Sequence, residues 1–180
     1  MLGAILRKKL SDEQFAKMFV GLILDSTEKG FADIAQIINE DKSFVVSPNI
    51  LPEDDGKFTL IVVAGNMQIL YKHFDSQRVL EFNELIYKTL APVYDFSPVE
   101  MKKALSDYNN YMIRINHPSK NTVYAMSKAL FYKYDLSGYQ DEYFRNMQCP
   151  NPLFLKRMDE IMEKFIINWG AFFKRYRLAE

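Results

Sequence analysis

The chain has a single cysteine, Cys149, among its 180 residues, so no intramolecular disulfide can staple it. Small secreted scaffolds depend on several such bridges, and the shortage favours a reducing, intracellular compartment, the cytoplasm. Seven glycines and seven prolines leave little material for the many tight turns of an all-β protein. Only two histidines, His73 and His117, are present, which restricts every chemistry that depends on imidazole. There is no net charge, with 23 basic and 23 acidic residues, whereas a nucleic-acid binder carries a strong basic excess. Nucleic acid is therefore not an expected partner. No apolar run approaches the roughly 20 residues of a membrane span; the longest, Leu60 to Ala64, has five. Met1 to Leu6 is too short for a signal h-region, and its charges, Arg7, Lys8 and Lys9, follow the apolar part instead of preceding it.

What is present is apolar and aromatic. Hydrophobic residues make up 48% of the chain, fourteen Phe and eleven Tyr among them, enough for one well-filled core and a single domain over 1–180. Charge is uneven along the sequence. Residues 1–100 hold ten basic and fifteen acidic side chains, residues 101–180 thirteen and eight, a distribution that self-complementary helix faces would use.

Helix starts are plainly written. Ser11-Asp12-Glu13-Gln14 is a capping box leading into Phe15, Met18, Phe19, Leu22 and Ile23 at helical spacing. Ser97-Pro98-Val99-Glu100 combines N-cap, proline and box, and opens a helix to about Asn116. Phe31 to Asn39 reads as a second short helix, broken from the first near Lys29-Gly30 because glycine often terminates helices. Residues 43–56 form a loop whose acidic run, Glu53-Asp54-Asp55, supplies a negatively charged helix N-terminus. Phe58 to Ala64 is β-branched enough for a strand, yet Leu60, Val63, Met67, Leu70 and Phe74 keep a three-and-four spacing, so it is read as helix. Gly65 inside it implies a close helix crossing. Further helices are expected over about Gln77 to Ala91, Ser119 to Leu136 with Ser119 as N-cap, and Tyr139 to Met147.

The clearest stretch runs from Pro152 to Leu178. Phe154, Met158, Ile161, Phe165, Trp169, Phe172 and Tyr176 recur at intervals of three and four and predict one unbroken amphipathic helix packed against most of the others. The fold class is therefore all-α, an irregular bundle or array of about seven to eight helices with a long C-terminal one.

Chemistry is sparsely written. There is no Gly-x-Ser-x-Gly elbow, no Cys-x-x-Cys, no His-Glu-x-x-His and no glycine-rich phosphate loop, so neither a metal nor another cofactor is expected. Glu81 and Glu84 read as a solvated face, Cys149 as an inert thiol, and His73 as a helix-end residue bonding the last carbonyls. The aromatic and cationic tail Phe172 to Arg177 reads as the end of an amphipathic helix. The densest polar segment is the corner around His117-Pro118. Asn116, His117, Ser119, Lys120 and Asn121 are its candidate binding residues, since a helix N-terminus there would offer N–H groups to an anion and Lys120 would add charge. A structural corner between two helices explains the same residues.

The sequence supports three functional expectations. The first is a non-enzymatic protein acting through a protein partner or as a homo-oligomer, because capping and packing account for nearly all of the sequence. The second is a binding domain for a small apolar or amphipathic ligand, since nine Met and the Phe and Tyr residues could line an adaptable cavity. The third is an enzyme using His117 at the 116–121 corner as acid or base.

Overall fold

A computed structural model describes residues 7–179; the expectation for Met1 to Leu6 lies outside them. The fold is all-α, a helical array with one two-stranded pairing. Ser11 opens α1 (Asp12–Asn39), its Oγ accepting the Gln14 N–H at 3.2 Å while the Gln14 side chain accepts the Ser11 N–H at 3.0 Å. The helix continues through Lys29-Gly30, which corrects the break expected there. Gly30 serves approach and not termination: a Cβ on it would stand 3.0 Å from the Phe165 ring. The missing side chain is what lets the C-terminal segment press on α1.

The centre belongs to α2 (Gly56–Leu70), in which every residue from Phe58 to Met67 is buried. A helix that is apolar all round is stable only when neighbours cover it on all sides. Those neighbours are α1, α4 (Pro98–Asn116) and α5 (Thr122–Lys133). The close crossing expected at Gly65 is present, since a Cβ there would collide with Met126 Sδ of α5. The acidic run before α2 does not cap it, because the Asp55 side chain makes no cap bond. The Tyr134 hydroxyl, just beyond α5, does that work, accepting the Phe58 N–H at 3.1 Å and donating to the Asp54 carbonyl at 2.6 Å. Burial pushes this phenol well above its ordinary pKa, so it stays protonated and keeps donating. Tyr134→Phe leaves the buried Phe58 N–H without a partner. Urea unfolding should show a loss of about 2 kcal/mol, and an unchanged midpoint would mean that water replaces the hydroxyl.

Around this centre, α3 (Ser76–Leu90) packs on α1 and α4, and α5 packs on α7 (Pro152–Met162); α6 (Glu142–Met147) contributes no buried residue. The Ser97 capping box and the Asn151-Pro152 start are both present. The start of α5 is corrected from Ser119 to Asn121, whose Oδ1 accepts the Tyr124 N–H at 3.1 Å. Ser119 stands in the preceding turn, where its Oγ accepts the Asn121 N–H.

The long C-terminal helix is not formed. After α7 come a 3-10 turn over Glu163–Phe165, an extended Ile166, then α8 (Trp169–Arg175) capped by Asn168, and finally a strand, β2 (Tyr176–Leu178). β2 pairs in parallel with β1 (Lys8–Leu10), with Lys9 opposite Arg177. Arg78 fastens the pairing, reaching the Asp12 carboxylate at 2.5 Å and the Ala179 carbonyl at 2.8 Å.

Asn66 gives the physical reason for the break. It is fully buried on α2; its Nδ2 donates to the Phe165 carbonyl and its Oδ1 accepts the Ile167 N–H, both at 2.9 Å. These bonds replace the ladder bonds that a continuous helix would make there. The interruption turns the Phe165 ring edge-on to Phe58, centroids 5.0 Å apart, and toward Gly30. The periodic stripe still faces inward: Phe154, Met158, Trp169 and Phe172 are buried.

Candidate functional site

The polar corner is assembled by the end of α4 and the start of α5, and its members divide. Asn116 is buried; its Nδ2 donates to the Ser119 carbonyl at 3.3 Å and the Asn121 carbonyl at 2.9 Å, which folds the turn back on the helix end. Asn121 caps α5. His117, joined to Pro118 by a cis peptide, is the exposed C-cap of α4. Only Asn116, Ser119 and Lys120 line a concave surface; His117 and Asn121 do not. The five candidates therefore do not converge as one set.

That surface is a cavity of about 500 Å³ between α2, α3, α4 and the first turn of α5. Buried Ala64, Met67, Leu105, Met112 and Ala125 give it an apolar lining. Exposed Lys72 and Lys120 bring two cations to it, and among the described residues no Asp or Glu lines it. Tyr87 presents its phenol, raised above its ordinary pKa by burial first and by Glu84 second, so the hydroxyl remains neutral. Gln68 Nε2 donates to Asn109 Oδ1 at 2.7 Å, so this pair is satisfied across α2 and α4.

Two lining amides have an unsatisfied oxygen. Asn83 on α3 is 9% exposed and Asn116 is 4% exposed, and the Oδ1 of each has no partner among the described residues. A buried acceptor without a donor costs about 1–3 kcal/mol, so natural sequences tolerate one mainly where a water or a ligand supplies the missing bond.

Asn83 was not singled out by sequence reasoning. The signal was present, because Asn83 falls on the buried stripe of α3 beside Val79, Phe82 and Ile86. An amide at a core position of an amphipathic helix needs a partner, and none is written nearby in the chain.

The remaining polar groups are structural. Ser127 donates to Asp159 at 2.5 Å, and burial raises that carboxyl above its ordinary pKa. Glu84, on the face read as solvated, pairs with Lys102 at 2.5 Å with both side chains about half exposed. His73 is not bonded to helix carbonyls through its ring, which instead lies 5.0 Å from Trp169. Among the described residues no three His, Cys, Asp or Glu side chains come together where a metal could be held, and no helix is long and apolar enough to cross a membrane. No known protein family, curated protein or solved structure matches the chain, so its function has to be read from this cavity.

Proposed function

We propose that the chain is a non-enzymatic binding domain holding a small amphipathic ligand in the cavity between α2, α3, α4 and α5. The observation that carries this reading is the pair of buried amide oxygens, Asn83 Oδ1 and Asn116 Oδ1, left without partners on an otherwise apolar wall. Small-molecule sites have this composition, an apolar lining with a few polar groups that fix orientation. The lone cysteine supports action in the cytoplasm.

Native mass spectrometry of protein purified from cells tests the proposal, together with fluorescence of the neutral dye Nile red. A retained small molecule or saturable dye binding is expected. Ser106→Trp, which fills the lining from α4, should abolish either signal while the far-ultraviolet dichroism stays unchanged. Absence of both signals in the parent protein would count decisively against a binding cavity.

Association with a protein partner or a second copy is the second reading. Val93, Phe96 and Val99, all exposed within one short stretch at the entrance to α4, favour it. Light scattering across a dilution series would show a size change if that patch self-associates; a constant monomer mass with no co-eluting protein would remove the reading.

A further inference from the structure

The cavity's polar groups specify more than an amphipathic molecule. Building on the proposal that this cavity binds a small ligand, we infer that the ligand is a small organic anion whose body carries N–H donors, such as a nucleobase monophosphate or an amino acid, and that plain acyl chains are excluded.

The wall asks for donors. Asn116 has its amide nitrogen committed to the Ser119 and Asn121 carbonyls, so the end left over is an acceptor only. Asn83 likewise leaves an acceptor. In the absence of ligand, water can donate to both oxygens. A ligand that displaces this water must donate in its place or leave two buried acceptors unpaired. An alkyl chain cannot donate, so packing it against Met67, Leu105 and Met112 would gain apolar contact while losing both bonds. An N–H-bearing body keeps both.

The mouth asks for negative charge. Lys72 and Lys120 line the cavity from just past the end of α2 and from the corner turn, and Thr122, the first residue of α5, lines it as well. Asn121 Oδ1 takes the Tyr124 N–H, leaving the N–H groups of the earlier first-turn residues outside the helix ladder. A twelve-residue helix presents a partial positive charge at that end. Two ammonium groups, the helix end and the absence of any lining carboxylate among the described residues all favour a negative group at this side of the cavity. The donor-seeking oxygens lie on the same lining, so one molecule must satisfy both demands.

Isothermal titration with adenosine monophosphate, tryptophan and decanoate separates the possibilities. At least one of the two N–H-bearing anions should bind about tenfold or more tightly than decanoate, and which of the two does so distinguishes a nucleotide from an amino acid. Asn83→Leu should weaken that binding by about fivefold to tenfold, and Lys72→Glu with Lys120→Glu, both exposed positions, should weaken it further without changing the melting temperature. Tightest binding by decanoate overturns the inference, as does a tight donor-bearing probe that is indifferent to Asn83→Leu. Failure of all three probes while Nile red still binds also overturns it but leaves the binding cavity standing. Failure of the dye as well removes both.

Discussion

Asn66→Leu should cost about 3 kcal/mol in urea unfolding, because two buried backbone groups lose their partners at once. Leucine is close to asparagine in size and fills the same space, so the loss is polar and not a cavity effect. The Phe165 carbonyl and the Ile167 N–H lie where α7 has ended and α8 has not begun, and Asn66 is the side chain that holds them. A second effect separates this account from simple core damage. Exchange of the Ile167 amide hydrogen should become fast in the variant, while amides in the middle of α1 keep a protection set by global unfolding. A loss under about 1 kcal/mol, or unchanged protection at Ile167, would show that the break is held by something other than this amide.

The same residue explains where the sequence was legible and where it was not. Local signals were strong and specific at Ser11, Ser97 and Asn151, because a cap involves only residues within one turn of each other. Periodicity likewise foretold that Phe154, Met158, Trp169 and Phe172 face inward. Periodicity reports which side of a segment is buried, however, and is nearly blind to whether the backbone between two buried positions stays helical. Ile166-Ile167 followed by Asn168 was the only local hint of a break, a β-branched pair before a good cap. The deciding partner, Asn66, lies about a hundred residues away in sequence. Gly30 shows the converse, a local stop signal overridden by tertiary contact with Phe165. For the candidate site, the corner at 116–121 was visible because its polar residues are consecutive. The opposite wall was not, since Asn83 reads as one amide among many until α3 is laid against α4.

The pair formed by Asp41 and Arg157 carries the second large effect, and its size should depend on pH. Asp41 follows α1 with its side chain 2% exposed, and Arg157 on α7 donates to both of its oxygens, at 2.7 and 2.6 Å. Burial alone would raise the carboxyl; the guanidinium and the Ser43 N–H, which Asp41 accepts at 2.8 Å, more than offset that and hold it below its ordinary value. A folded pKa below the unfolded one means the pair's contribution is complete above the ordinary carboxylate range, about pH 4, and fades as pH falls through the folded value. Arg157→Ala removes the partner and leaves a buried carboxylate, at a cost of about 3 kcal/mol at pH 7. Without the guanidinium, burial becomes the dominant influence on Asp41 and its pKa moves above the unfolded value. Protonation then favours the folded state of the variant, so the gap to the parent protein should narrow steadily from pH 7 towards pH 4. Urea midpoints at the two pH values read this directly, and an equal loss at both would mean that Arg157 stabilises through its packed alkyl stem and not through Asp41.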